Sequence, residues 1–183
     1  MATGRYIIAI DVGIKNLGLC IFDFHTSKVC VWENVSLVQN GRYQPMNNVE
    51  YVFGLVERFG EYFKLAGRVV IERQMRCNMR IIESVLQALF YEKCTIISAR
   101  SVKAHYDLST RNYRTNKVVA VEWVTEFTES NSAAFEPAAL SKFKAKKKDD
   151  LADSLLLVLY YLDTYSNHLT SLGDGILQGG LVL

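Results

Sequence analysis

The sequence has few of the features that mark specialised classes of protein. Its four cysteines show no C-x-x-C spacing, which argues against a zinc site and against a disulfide framework. Only two prolines occur, and no segment is rich in glycine and serine, so the chain contains no evident linker. No apolar run reaches the ~18 residues that a membrane-spanning helix needs, and the N-terminus lacks the pattern of a secretory signal. We therefore expect an intracellular protein of a reducing compartment, without a membrane segment.

The chain also lacks a strong overall charge. Its formal net charge is +2 over 183 residues, but the lysines and arginines are distributed unevenly. Five of them lie between residues 100 and 117, and the segment 142–148 holds five lysines and no acid. Basic segments of this kind are typical of proteins that bind nucleic acid, although solvated surfaces carry them too.

The order of the predicted elements indicates an α/β domain. Apolar runs rich in β-formers predict strands over residues 6–11, 17–24, 28–37, 68–72 and 94–98. Apolar residues at helical spacing predict helices over residues 49–66, 78–93, 101–106, 116–128 and 149–165. Because strands alternate with helices after the first three strands, we expect a mixed five-stranded sheet with helices on both faces.

Residue types set the predicted boundaries of these elements. Asn48 is expected to cap the first helix and Gly67 to end it. Residues 129–148 are interpreted as a polar loop before the last helix. We interpret residues 1–165 as one domain and residues 166–183 as an irregular C-terminal tail.

Carboxylates stand at the ends of three predicted elements. Asp11 ends the first strand and Glu72 ends the fourth, where mixed α/β sheets collect their ligand sites. Asp149, Asp150 and Asp153 begin the last helix. Capping and the helix dipole explain acids in a first turn, but they explain Asp153 poorly, because its neighbours belong to the core.

These acids are compatible with a metal site. If they come together, they repel one another unless cations lie among them, and Mg²⁺ suits such oxygen ligands. Taken one at a time, each acid could equally serve as a helix cap or a turn residue. The residues alone therefore leave both interpretations open.

Three motifs in this order resemble the RuvC-like Holliday junction resolvases. They are IAIDVGIKNLG at residues 8–18, VVIERQ at residues 69–74 and KKDDLADSLL at residues 147–156. The resemblance is strongest to the poxvirus and mitochondrial branch and covers about residues 5–165. It implies a ribonuclease H-like fold and an endonuclease that cuts four-way DNA junctions by paired symmetric nicks with Mg²⁺ or Mn²⁺.

The resemblance also implies the residues of the catalytic site. The metal ligands would be Asp11, Glu72, Asp150 and Asp153. Asp150 is preferred to its neighbour Asp149 because the family has D-x-x-D spacing, but the choice between the two stays open. Two functional lysines of the family match Lys103 and Lys117 of this chain. They are expected to hold phosphates of the scissile strand or, for Lys117 above all, to stabilise charge during cleavage.

Further DNA contacts are expected from basic and apolar residues around these motifs. Met75 stands where bacterial relatives use an aromatic residue to unstack the junction centre, although a methionine could equally pack in the core. The expected basic contacts, each of which could also be plain surface, are Lys15, Arg73, Arg76, Lys146, Lys147 and Lys148.

The partners expected from the resemblance are branched DNA and a second copy of the chain. A junction presents two symmetric strands, so the family acts as homodimers, and the helix over residues 78–93 is the expected interface. The poxvirus-like motifs suggest a viral source and the host-cell site of viral DNA replication as the setting.

Three other functions remain under consideration. A ribonuclease H-like nuclease could act on RNA or another branched nucleic acid, because the same acids would serve. A non-catalytic junction-binding module is a second alternative, against which the intact acidic set argues. An actin-like ATPase or sugar kinase shares the D-x-G start, but a chain of 183 residues lacks the room and the glycine-rich phosphate loops.

Overall fold

Five strands form one mixed sheet in the order β3-β2-β1-β4-β5, which confirms the predicted fold class. The structure is a computed structural model and describes residues 4–39, 41–143 and 148–165. The strands are β1 (Tyr6–Asp11), β2 (Leu17–Asp23), β3 (Lys28–Val35), β4 (Ala66–Glu72) and β5 (Cys94–Ile97). The helices are α1 (Asn48–Arg58), α2 (Gly60–Lys64), α3 (Cys77–Leu89), α4 (Ala99–His105), α5 (Tyr113–Ser130), α6 (Pro137–Phe143) and α7 (Asp149–Tyr165).

The central strand β1 is buried on both faces of the sheet. Its side chains alternate, so Ile7 and Ala9 contact one core and Ile8 and Ile10 contact the other. Helices α4 to α7 cover the first face and helices α1 to α3 cover the second. Such a strand needs a nearly continuous apolar sequence, which is what the run before Asp11 provides.

Strand pairing brings two acid-bearing strand ends together. β1 runs parallel to β4, with Ile10 opposite Ile71, and antiparallel to β2, with Asp11 opposite Gly18. Because parallel neighbours end at the same edge of a sheet, Asp11 and Glu72 lie side by side at the carboxyl ends of β1 and β4.

Helix α7 lies directly against the sheet at this edge. The indole Nε1 of Trp32 on β3 donates a buried hydrogen bond of 2.9 Å to the carbonyl oxygen of Leu151. The Trp32 ring stacks on Phe143 of α6 with its centroid 4.4 Å away. A Cβ atom at Gly18 would collide with the carbonyl oxygen of Asp150, so only glycine allows the first turn of α7 this close to β2.

The first predicted helix is divided in two. α1 and α2 are separated at Phe59, whose φ and ψ of −112° and 29° are not helical and whose side chain is buried. The prediction that Asn48 caps the helix was wrong: Asn48 is its first residue, and its side-chain oxygen accepts a hydrogen bond from Tyr43. Gly67 lies inside β4 and does not end the helix, because the chain turns into the sheet at Ala66.

The predicted polar loop contains a packed helix. α5 continues to Ser130, and after a short 3-10 turn α6 packs Ala139 and Phe143 into the core. The backbone of Phe135 pairs with Val29 of β3 before α6 begins. The polar-loop prediction was therefore wrong, because apolar residues at positions 135, 139 and 143 anchor an otherwise polar stretch to the sheet.

In the part of the chain that the structure describes, none of the helices is long and apolar enough to span a lipid bilayer.

Replacing Gly18 by alanine is expected to push the first turn of α7 away from β2. We expect Gly18→Ala to lower the free energy of unfolding by about 1–3 kcal/mol, as overpacking does in buried sites. The matched control is Gly54→Ala in α1, where an added Cβ would meet no atom within 4 Å. The control should be neutral or up to about 1 kcal/mol more stable in denaturant unfolding, since alanine favours helix. Equal stability of the two variants would contradict the close approach of α7.

Candidate active site

Three carboxylates converge where β1, β4 and α7 meet. Asp11 and Glu72 end their strands, and Asp153 lies just beyond the first turn of α7 on the side that faces them. One oxygen atom from each of the three lies within 4.8 Å of the other two, and all three residues are half-buried. A group of oxygen ligands at this spacing fits a hard divalent cation. Sequence analysis named all three residues, and the fold brings them together.

The electrostatics of this group also fit a cation. Burial, followed by the charges of Glu72, Asp153 and Asp150, raises the pKa of Asp11 well above its usual range. Burial and then the charge of Asp153 raise the pKa of Glu72 to about 7, against opposing contributions from two nearby lysines. The cluster thus carries more negative charge than the protein alone compensates, and a divalent ion would relieve that repulsion.

Lys103 reaches the cluster from α4. Its Nζ atom lies 3.1 Å from Oδ1 of Asp153, and both side chains are largely buried. Helix α4 is fixed against α7 nearby, because the Tyr106 hydroxyl donates a 2.6 Å hydrogen bond to Asp163. The predicted lysine after the fifth strand therefore lies at the acidic cluster.

Lys117 reaches the same region from α5. Its Nζ atom donates a 2.7 Å hydrogen bond to Oδ2 of Asp149, the first residue of α7. The side chain of Asn112 caps α5 by accepting from the backbone N–H of Arg114, which fixes the helix start that carries Lys117. Both family-matched lysines thus contact the beginning of α7.

The two adjacent acids of α7 have different surroundings. Asp149 accepts from Lys117, whereas the charge of Asp150 raises the pKa of Asp11 and of Glu72. Among the described residues, the group of oxygens within 4.8 Å holds Asp11, Glu72 and Asp153 and does not include Asp150. The assignment of Asp150 as a fourth ligand therefore stays a prediction.

The segment over residues 73–76, directly after Glu72, is fixed through a backbone hydrogen bond and turns most of its side chains to solvent. The N–H of Gln74 donates a 2.6 Å hydrogen bond to the carboxylate of Glu83, which is buried on α3. Sequence reasoning missed Glu83; the available signal was an acid beside Ile82 on the apolar face of the helix. The side chains that this segment turns to solvent belong to Arg73, Met75 and Arg76.

Exposure excludes the core-packing interpretation of Met75 and leaves its role as a wedge in DNA a prediction. Its side chain is 87% exposed, so it does not pack in the core and is free to meet a partner. Lys15 is also exposed, in the turn after β1. Lys148 lies with Nζ 5.0 Å above the ring of Phe143. Lys146 and Lys147 fall outside the described residues.

The predicted interface helix presents apolar side chains to solvent. Ile81 on α3 and Tyr91 just after it are 41% and 74% exposed. Phe90 stacks on Phe63 with ring centroids 4.9 Å apart, so this residue belongs mainly to the core. The exposed apolar surface of α3 is therefore smaller than the sequence predicts, because Phe90 is not part of it.

Comparison with known proteins gives the family and the fold. The protein family described as Poxvirus A22 protein matches residues 5–164. The yeast mitochondrial Holliday junction resolvase is 24% identical, with a TM-score of 0.66 over 93% of this chain and 87% of that chain. The fowlpox virus resolvase, solved in complex with its substrate Holliday junction DNA, is 18% identical, with a TM-score of 0.62 over 87% and 97%.

A bacterial protein extends the likeness in fold. RuvC of Thermus thermophilus, solved with a Holliday junction substrate, is 13% identical, with a TM-score of 0.52 over 88% of this chain and 97% of that chain. No curated protein sequence matches the chain. The structural likenesses confirm the ribonuclease H-like fold of RuvC-type proteins.

The raised pKa of Glu72 predicts how stability depends on pH without metal. The folded-state pKa of about 7 lies above the ordinary value of 4.5, so the associated stability is present below pH 4.5 and is lost as the pH rises to 7. In EDTA, we expect the Tm to be roughly 5 °C lower at pH 8 than at pH 5. Mg²⁺ at pH 8 should restore most of the difference, because a bound ion takes the place of the proton.

The control for this measurement is a pair of glutamine substitutions. Glu72→Gln should flatten the pH dependence, whereas Glu57→Gln, at an exposed position on α1, should leave it as in the unmodified protein. A Tm in EDTA that stays level or rises between pH 5 and pH 8 would show that Glu72 is not destabilised when charged.

Proposed function

Because the chain belongs to the family described as Poxvirus A22 protein, we propose that it is a metal-dependent endonuclease that resolves four-way DNA junctions by paired symmetric nicks. The observation that carries this proposal is the convergence of Asp11, Glu72 and Asp153 at one edge of the sheet. The fowlpox virus protein of the same fold was solved with a Holliday junction as its substrate, which supports the same substrate class here.

We infer that Mg²⁺, or Mn²⁺ in its place, is the metal. Asp11, Glu72 and Asp153 would hold it, with Asp150 in the first turn of α7 as a further carboxylate. Oxygen ligands that leave room for water and phosphate are typical of magnesium sites. The chemistry that such an ion would supply at these residues is neutralisation of charge at the scissile phosphodiester and activation of the attacking water.

The two lysines supply positive charge from the protein itself. The Nζ atoms of Lys117 and Lys103 contact Asp149 and Asp153 near the beginning of α7. They lie within reach of a phosphate placed at the acidic cluster. Fixed cations at this position attract the scissile strand and stabilise the charge that develops on its oxygens during cleavage. We expect the products to carry 5′-phosphate and 3′-hydroxyl ends.

Recognition of the branched DNA falls to the exposed segment after Glu72 and to the lysines near the site. Arg73 and Arg76 lie on either side of the exposed Met75, so phosphate contacts and an apolar wedge occupy one short segment. An inserted methionine can unstack bases and open the centre of a junction. Lys15 and the lysines at positions 146–148 would add attraction that does not depend on sequence.

We also propose a homodimer formed through α3, active at the host-cell site of viral DNA replication. A four-way junction presents two equivalent strands, and a two-fold dimer places one active site on each. Ile81, Leu89 and Tyr91 expose apolar surface along and after this helix, which suits a self-complementary contact.

Cleavage of a labelled synthetic four-way junction tests the proposed activity. With Mg²⁺, we expect symmetric paired nicks in the junction and little cutting of a linear duplex of the same sequence. EDTA should abolish cleavage, and Asp153→Asn should lower the rate by at least about 100-fold, because a cluster carboxylate is lost. Glu50→Gln, a first-turn acid of α1 remote from the cluster in sequence, is the matched control and should cut normally.

Other outcomes of this assay separate the remaining functions. Tight junction binding without cutting in any divalent metal would favour a binding module. Cutting of RNA alone, or no preference for the junction over duplex, would contradict the resolvase proposal and leave a nuclease of another substrate.

The dimer is tested by placing a charge on α3. Ile81→Glu should convert the dimer to a monomer in sedimentation analysis, since an unpaired carboxylate in an apolar contact is unfavourable. The monomer should make single nicks and lose the pairing of cuts in one junction. Gln87→Glu, an exposed position on α3 that is not three or four residues from Ile81, is the control for charge on the helix; a stable dimer in Ile81→Glu would exclude this part of α3 from the interface.

A further inference from the structure

We propose that Asp149 is a positioning residue, which holds the Lys117 ammonium beside the acidic cluster and is not itself a metal ligand. This inference rests on the proposed function and assigns different tasks to the two adjacent acids of α7. Asp150 would face the metal, and Asp149 would face the lysine.

The contact itself is short and partly shielded from water. Lys117 Nζ lies 2.7 Å from Asp149 Oδ2, and the two side chains are 32% and 26% exposed. A charge-assisted hydrogen bond of this length between side chains 32 positions apart in sequence orients both of them. Among the described residues, Asp149, like Asp150, does not belong to the three carboxylates whose oxygens lie within 4.8 Å of one another.

Lys103, the other lysine of the site, shows by contrast what the contact between Lys117 and Asp149 achieves. Lys103 pairs with Asp153, a member of the cluster, so a metal ion that binds Asp153 competes with the Lys103 ammonium. Lys117 pairs with a carboxylate outside the group of three, so its contact with Asp149 does not compete with the metal for Asp11, Glu72 or Asp153. The metal-loaded site would then keep one cation at a fixed position.

Lys117 is close enough to act on the cluster while bound to Asp149. Its Nζ atom contacts the first residue of α7, and Asp153 follows four residues later on the same helix, so the ammonium lies at the end of α7 that carries the cluster. A free lysine side chain samples many rotamers, and fixing it in the ground state removes an entropic cost from the reaction. Asp149 thus prepares a phosphate-binding charge before the DNA arrives.

A double-mutant cycle tests this assignment. The variants are Asp149→Asn, Lys117→Met and the double variant, and the first readout is the single-turnover rate of junction cleavage at saturating Mg²⁺. We expect Asp149→Asn to cut about tenfold more slowly, as expected when a catalytic group is misplaced. The double variant should be no slower than Lys117→Met alone, because Asp149 acts through the lysine. Additive losses would overturn the proposal.

The second readout is metal affinity, measured by calorimetric titration with Mn²⁺ in the absence of DNA. Asp149→Asn should change the Kd by less than about threefold, as expected for a charge outside the ligand set in a partly solvated site. Asp153→Asn should raise the Kd more than about tenfold, as loss of a ligand does. A rise in Asp149→Asn as large as that in Asp153→Asn would make Asp149 a ligand and overturn the proposal.

The third readout is the ammonium resonance of Lys117 in a proton–nitrogen correlation spectrum. A hydrogen-bonded ammonium exchanges slowly enough to be observed, so the signal should be present in the unmodified protein, shifted and weakened in Asp149→Ala, which removes the acceptor, and restored in Asp149→Glu. Glu50→Gln, which also removes an acid from a first helical turn, is the control and should leave the signal in place. An unchanged signal in Asp149→Ala would overturn the proposal.

These readouts also separate the inference from the proposed function. The metal titration and the lysine spectrum need neither DNA nor cleavage. If the unmodified protein fails to cut the junction while both readouts behave as expected, the proposed function fails and the role of Asp149 in holding Lys117 stands.

Discussion

The close approach of α7 to the sheet is the constraint on which the rest of the molecule depends. Asp153 joins Asp11 and Glu72 only because the first turn of α7 lies against β2 at Gly18. The buried hydrogen bond from Trp32 to Leu151 holds the helix there, and the stacked ring of Phe143 supports the indole in turn. The packing of α7 against the sheet therefore holds together three carboxylates that would otherwise repel one another.

Bringing the three carboxylates together costs electrostatic free energy, and two nearby lysines reduce that cost. Burial, together with the negative charges of the cluster, raises the pKa values of Asp11 and Glu72, so without cations these two carboxyl groups favour the protonated form. Lys103 on α4 and Lys117 on α5 contact Asp153 and Asp149 of α7, so two other helices supply positive charge to the beginning of α7. The two lysine charges thus offset part of the repulsion among the carboxylates, which suits a site for an ion and a phosphate.

Sequence reasoning found the parts of this site that follow from strand ends and motif spacing. Asp11 and Glu72 end apolar runs, and parallel neighbours end at one edge, so their proximity is implied once β1 and β4 pair. The break at Phe59 and the helix α6 were missed, because each depends on a few apolar side chains that gain stability only against the finished sheet. The contact between Lys117 and Asp149 was also missed, because no local sequence pattern links positions 117 and 149.

The order in which the site residues occur along the chain has a consequence for synthesis. Asp11 belongs to β1, which precedes the other described strands along the chain, whereas Asp153 lies on the last helix that the structure describes. A nascent chain can build β1 to β5 and still lack the carboxylate that completes the cluster. The cluster is therefore completed late, when α7 has been translated and docks on a sheet that is already formed.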